Sequence, residues 1–200
     1  MSLCSSTTPD NSQPGAVEET PLEAYRAQFE VNVFGLVRMC QLVLPAMRAA
    51  GEGTIVNLGS GAGLVAPPLS SAYSMSKYSL EALSDSLRFE TRRFGVRTVL
   101  IQASAVKTSF TDTLERLAPE QSPDGPYAKV TANVLGFARR EGERGISPER
   151  VAQVVLRAVR SPHPHPRYKI GSQTRVALVA RRALGDRAWD ATMARLVRAE

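Results

Sequence analysis

Apolar positions fall into short, separated runs along the 200 residues, and their spacing changes from one run to the next. Two runs are nearly continuous and rich in β-branched residues. "GEGTIVNLGS" predicts a buried strand over 54–58, and "VRTVLIQAS" predicts a second over 96–101. Between them, residues 71–94 carry a helical pattern that Gly95 closes, at the place where a helix commonly turns left-handed. A strand, a long helix and a second strand make a parallel βαβ unit, whose crossover is almost always right-handed.

Upstream, Thr20-Pro21-Leu22-Glu23 has the form of a helix start. Thr20 is the expected N-cap, Pro21 fits the first turn, and Glu23 completes a capping box. That helix is predicted to reach about residue 49, with a kink at Pro45. Beyond Val31 it is apolar on nearly every side, so it needs a sheet on one face and a partner subunit on another. Residues 1–19 read as an irregular lead rich in Ser, Thr, Pro and Asn. Residues 105–146 show no strong period and are expected to form a mobile cover with short helices. "SPERVAQVVLRAVR" at 147–160 is a well-marked helix with Ser147 as N-cap and Pro148 in its first turn. "SPHPHPRY" then reads as a rigid linker, "YKIG" as a last short strand, and 173–199 as an amphipathic helix. The predicted organisation is a lead at 1–19, a Rossmann-type α/β domain at 20–172 and a helical extension at 173–200.

Composition adds bounds. A hydrophobic content of 43% and a charged content of 22% are those of a soluble globular protein. The net charge of +6 is not carried by any basic stretch interleaved with aromatics, so nucleic acid is not an expected partner. Cys4 and Cys40 cannot build a disulfide framework, which favours a reducing compartment. The first residues have neither the basic start nor the apolar core of a signal peptide, and no apolar run approaches the ~18 residues of a membrane span. A cytoplasmic location is expected. His163 and His165 lie among prolines with no acidic cluster nearby, so no metal site is predicted.

Chemistry gathers where the strands end. In an open parallel sheet, ligands sit beyond the carboxyl ends of the strands. The first strand delivers Ser60 there, the second delivers "ASAVKTSF", and the helix between them starts nearby with Tyr73 and Lys77 one turn apart. A tyrosine with its ordinary pKa of about 10 is a poor base at neutral pH. A cation within roughly 4–6 Å favours the phenolate, typically by about 1–3 units. A serine hydroxyl facing the same point can hold a reacting oxygen and stabilise its developing charge. The group supports proton transfer to or from a hydroxyl or carbonyl oxygen.

"YSMSK" at 73–77, Ser60 thirteen residues before Tyr73, "VNVFG" at 31–35 and "TIVNLGSGAG" together resemble the short-chain dehydrogenase/reductase family in its common form. The resemblance covers about residues 15–200. It implies the C-terminal portion of a Rossmann-type, doubly wound parallel sheet with long flanking helices. It implies hydride transfer between NAD or NADP and a small-molecule alcohol or ketone. By resemblance, Tyr73 is the general acid/base, while Lys77 lowers its pKa and bonds the nicotinamide ribose. Ser60 orients the substrate oxygen and Asn32 holds a water in the proton relay. Val106 and Thr108 flank the nicotinamide carboxamide, with Tyr73 and Lys77 also touching the cofactor. The helices at 20–49 and 71–94 resemble the family's subunit-packing pair, which implies a homo-oligomer.

Two departures accompany the resemblance. The family's Thr-Gly-x-x-x-Gly-x-Gly segment is absent from these residues, and "TTPDNSQPG" stands where Asn-Asn-Ala-Gly is expected. About the first third of the family fold is therefore expected to be lacking, as in a truncated form or fragment, and cofactor binding by these residues alone is expected to be negligible. Ala103 and Ser104 stand where the family usually has Pro-Gly, so the nicotinamide-side turn is expected to differ.

Other readings use the same residues. A cofactor-independent isomerase, dehydratase or cyclase would keep Tyr73 and Ser60 and dispense with the dinucleotide. A non-catalytic oligomerisation module would use only the two long helices. Ser74-Met75-Ser76-Lys77 also matches the S-x-x-K pattern of serine acyl-enzymes, but the other motifs of that chemistry are wrongly spaced.

Overall fold

The computed structural model describes residues 3–5, 13–118, 122 and 124–198. Its centre is a sheet of four strands: β1 (Leu3–Ser5), β2 (Gly53–Ser60), β3 (Val96–Ala103) and β4 (Arg167–Ile170). They lie in that order and are parallel throughout. Gly53 stands opposite Val96 and Ser60 opposite Ala103, so β2 and β3 finish level at their carboxyl ends. Parallel neighbours cannot be joined by a tight turn. The link from β2 to β3 is accordingly a long helix, residues 71–91.

The helices cover both faces. On one face lie α1 (Leu22–Phe29), α2 (Gly35–Ala50) and α3 (Ser71–Thr91). Leu36, Cys40 and Met47 of α2 pack there with Leu80 and Leu87 of α3 and with Ile55 and Val96 of the sheet. On the other face, Val154, Ala158 and Val159 of α6 (Pro148–Arg160) pack on Val56, Val99, Ile101 and Ile170. Successive strand residues point to opposite faces, which is why Ile55 and Val56 join different cores. The sheet with helices on both sides is the doubly wound arrangement expected from the sequence.

The inner stripe of α3 runs through Ala72, Ser76, Leu80, Ser84, Leu87 and Thr91, spaced at three and four residues. Small polar side chains in that stripe bring the helix close enough for side-chain bonds to the layer beneath. Asn57 donates its amide to Ser84 Oγ at 2.9 Å. Farther round the helix, Arg167 of β4 donates to Glu81 at 3.0 Å and Asp85 at 2.6 Å, and Gln102 of β3 donates to Glu81 at 2.6 Å. The Arg167 guanidinium holds the Asp85 carboxyl below its ordinary range.

Several expectations need correction. The first helix begins at Leu22, because Pro21 has an extended ψ of 144° and no side chain caps it. The Thr20 hydroxyl donates back to Ala16 O at 2.8 Å, so no capping box forms. The irregularity in this helix is not at Pro45, which sits inside a continuous α2. It is a π-turn at Glu30–Phe34, between α1 and α2. Within the predicted irregular lead, Leu3–Ser5 pairs with Thr54–Val56; residues 1–2 and 6–12 of that lead lie outside the described residues. The predicted loop at 105–146 contains α4 (Phe110–Leu117) and the full-length α5 (Ala128–Glu143). Phe110, Leu114 and Leu117 do keep a helical spacing, but over too short a stretch to stand out. Helix α7 (Gln173–Arg198) is broken at Gly185, whose φ of 68° and ψ of 173° are not helical.

Leu22–Ala50 is a continuous 29-residue helical stretch containing a window of mean hydropathy 1.3, long and apolar enough by length and composition to cross a membrane. Single polar residues such as Arg38 and Gln41 interrupt its apolar run, and Leu36, Cys40 and Met47 bury one face of it against the sheet and α3.

Candidate active site

Four of the six predicted site residues meet where β2 runs out and α3 begins. Ser60 ends β2 and caps a short 3₁₀ turn, Gly61–Gly63, its Oγ accepting the Ala62 N–H at 3.2 Å. That bond leaves the hydroxyl proton available to another acceptor. The turn lies directly on α3: a Cβ at Gly63 would stand 2.8 Å from Lys77 O and 3.0 Å from its carbonyl carbon. Only a glycine lets the two backbones approach this closely.

Lys77 is buried, and its ammonium donates to Leu58 O in β2 at 3.2 Å. The same nitrogen lies 5.4 Å from the centre of the Tyr73 ring, one helical turn back. Burial lowers the Lys77 pKa from 10.5 to about 8, because desolvation penalises the charged form. At neutral pH the ammonium is therefore mostly charged. It has three protons to give and spends one on Leu58.

Asn32 enters from the π-turn. It is buried, and its amide donates to Ser76 Oγ at 2.9 Å. Ser76 in turn donates to Tyr73 O at 2.7 Å, which ties the π-turn to the backbone of the tyrosine. Asn32 Oδ1 is buried and lacks a hydrogen-bond partner. A π-turn inside an α-helix often marks a functional site. Here it presents Asn32 to α3. Ser76 was not singled out from the sequence; its place between Tyr73 and Lys77, on the inner stripe of α3, was the available signal.

Val106 and Thr108 sit on a separate element beyond β3. Val106 forms an isolated parallel bridge with Ile146, and the Lys107 N–H donates to Ile146 O at 2.9 Å. Thr108 is exposed, and its hydroxyl oxygen accepts the Phe110 N–H at 3.3 Å, at the start of α4. The Phe110 ring then packs on Tyr73 with centroids 5.6 Å apart, and this contact joins the two halves of the site. Beside Thr108, an open groove of about 480 Å³ runs between Lys107–Asp112 and Arg139–Glu143.

The acyl-enzyme arrangement is not formed. Ser74 is buried with its hydroxyl 3.0 Å from Ser70 Oγ, while Lys77 is turned to Leu58. Among the described residues no three His, Cys, Asp or Glu side chains group as a metal site.

Comparison with known proteins gives four findings. Residues 7–118, more than half of the chain, match the short chain dehydrogenase family. An uncharacterized oxidoreductase of Bacillus subtilis (strain 168) is 34% identical over 90% of this chain and 65% of its own length. A 3-ketodihydrosphingosine reductase of Bacteroides thetaiotaomicron is 31% identical over 81% of this chain and 60% of its own. A short-chain dehydrogenase structure from Streptomyces avermitilis superposes with a TM-score of 0.73 at 27% identity, covering 98% of this chain and 67% of that one. The chain thus spans less than two thirds of the length of these two curated relatives.

Proposed function

The chain belongs to the short-chain dehydrogenase family, and on that footing we propose that it carries the proton-transfer site of an NAD(P)-dependent oxidoreductase acting on an alcohol or ketone. The observation that bears most weight is the buried Lys77 ammonium 5.4 Å from the Tyr73 ring. A cation so placed favours phenolate at a pH where free tyrosine is protonated.

The residues fit the nicotinamide–ribose end of the cofactor. The two Lys77 protons not given to Leu58 suit ribose hydroxyls, and Val106 and Thr108 would flank the carboxamide. A glycine-rich phosphate cradle is not among these 200 residues, so the fit concerns that end alone. When bound, NAD(P) supplies or accepts the hydride. In the direction of reduction, Ser60 holds the carbonyl oxygen by donating its hydroxyl proton. The Tyr73 phenol gives that oxygen the proton which completes the alcohol. Lys77 stabilises the phenolate left behind, and a water on Asn32 Oδ1 begins the path by which Tyr73 is reprotonated. Oxidation runs the same steps backwards.

A ketone or alcohol substrate is supported by the Bacteroides relative, whose name makes it the reductase of a keto compound. Phe34 of the π-turn, Leu42 of α2, and Met75 and Phe89 of α3 are exposed, which supports packing of these helices against a second copy. A cytoplasmic location accords with this reading.

The test is NAD(P)H consumption by the purified protein with a panel of ketones. Tyr73→Phe should lower turnover ~10²–10⁴-fold, the loss expected for a positioned acid/base, while Ser74→Ala leaves it near wild type. Turnover that needs no nicotinamide would instead favour the isomerase, dehydratase or cyclase reading. Folding that depends on a partner, without turnover, would favour an oligomerisation module.

A further inference from the structure

Ser104, the residue after β3, sits at a junction of three chain segments. Its N–H donates to Ile170 O at the end of β4 at 2.9 Å. Its hydroxyl oxygen lies 3.0 Å from Thr174 Oγ1, a contact between residues 70 apart in sequence. The same oxygen accepts the Thr174 N–H at 3.4 Å, serving one of the amides that the first turn of α7 leaves without an intrahelical partner. Thr174 is only 7% exposed.

On its other side, Thr174 rests on the backbone of Gly61. A methyl group at Gly61 would come within 2.4 Å of Thr174 Oγ1 and 3.1 Å of its Cγ2. Gly61 follows Ser60 directly. Around Ser104 the packing is equally close, since a Cβ at Gly171 would stand 2.4 Å from Ser104 Oγ. Gly171 also has a φ of +94°, a conformation open to glycine but strained for other residues. The two hydroxyls therefore fill a space bounded by the Ser60 loop, the turn after β3 and the turn after β4.

We propose that Ser104 and Thr174 are positioning residues. Their hydroxyl pair clamps the first turn of α7 onto Gly61, and so fixes the loop carrying Ser60 relative to the segment that leads to Val106. The inference rests on the role given to Ser60 above. Contact through apolar surface alone would hold these segments together without fixing their angle. A directional bond between the two hydroxyls fixes it, and removing the Ser104 hydroxyl leaves both the hydroxyl and the N–H of the buried Thr174 without this acceptor.

Thr174→Val keeps the shape and removes one hydroxyl, Ser104→Ala removes the other, and Thr174→Ser restores a hydroxyl without the methyl. The amides of Ala62, Leu64 and Val65 report on the loop, because they donate to Ser60 Oγ and Gly61 O. Hydrogen exchange read by NMR should quicken about tenfold at these amides in Thr174→Val and Ser104→Ala, with β2 and β3 unchanged. The double variant should go no further than Ser104→Ala alone, which already removes both the bond between the hydroxyls and the bond from the Thr174 N–H. Thr174→Ser should stay near wild type. With the cofactor and a ketone the protein reduces, kcat should fall about tenfold while KM stays within about twofold. Wild-type exchange in a folded Thr174→Val, or additive effects in the double variant, would overturn the proposal. Should Ser104→Ala fail to fold, the comparison of Thr174→Val with Thr174→Ser decides. A wild-type protein without turnover would count against the oxidoreductase reading alone, and the exchange measurements would still decide the clamp.

Discussion

Asn32 and Ser76, 44 residues apart, share a buried hydrogen bond of 2.9 Å that fastens the π-turn to α3. Ser76→Ala would strand the Asn32 amide, whose carbonyl oxygen already lacks a partner. The cost of an unsatisfied buried group is about 1–3 kcal/mol. Urea denaturation should show a loss of that size. No measurable loss would mean that Asn32 turns elsewhere and that Ser76 does not hold it.

Lys77 should make the native state pay for its site. Its pKa falls from 10.5 to about 8 on folding. Between those values the unfolded chain binds a proton that the folded one does not, so the Lys77 contribution to stability rises with pH across this window. That contribution is complete above 10.5 and lost as pH falls through about 8. Replacing the buried cation by Lys77→Met should raise stability at about pH 7 by ~1–3 kcal/mol, after the lost bond to Leu58 is counted. The advantage should shrink at about pH 10. Denaturant titrations of both proteins at the two pH values check the sign. A variant less stable than wild type at neutral pH would contradict it.

Two glycines separate backbone strain from steric conflict. Gly51 ends α2 with a φ of +69°, and a Cβ there would meet nothing within 4 Å. Gly51→Ala should therefore cost only ~1–2 kcal/mol of conformational strain and leave turnover intact. Gly63→Ala would drive a methyl into the Lys77 backbone, which cannot swing aside. It should destabilise by ~1–3 kcal/mol and also lower turnover, as the Ser60 loop lifts from α3. Thermal melts and rates on the two variants distinguish these outcomes.

Helices α4 and α5 should open before the sheet. The only buried residues described in them are Thr113 and Thr131, whereas the first five residues of β2 are all buried. Hydrogen exchange should therefore release α4 and α5 well ahead of β2 and β3. Equal protection would mean that they form a packed subdomain and not a cover.

Much of this fold could be read from the sequence, for physical reasons that differ by element. Strands β2 and β3 showed because a buried parallel strand must be apolar on both faces. Helix α6 showed because its cap is local: Ser147 Oγ does accept the Arg150 N–H, with Pro148 in the first turn. Strand β1 could not show, since three residues are too few to carry a period. The Tyr73 and Lys77 positions were legible from an i, i+4 spacing joined to a strand end. The bonds through Ser76, Ser104 and Thr174 were not, because each joins residues distant in sequence through a hydroxyl that any surface serine could also present. The π-turn was hidden too: "EVNVF" has nothing to distinguish it from an ordinary helical segment.

That turn sets the phase of everything on either side of it. Each residue of an α-helix advances the side-chain direction by about 100°, so a π-turn acts as one residue added without breaking the rod. A chain shortened by one residue within Glu30–Phe34 could form a more regular helix from α1 to α2. The faces of the two helices would then be rotated against each other, so Asn32 could stay on Ser76 only if Leu36, Cys40 and Met47 left the core. Regularity and register are in conflict here, and any redesign that idealises this helix would be choosing the first at the expense of the second.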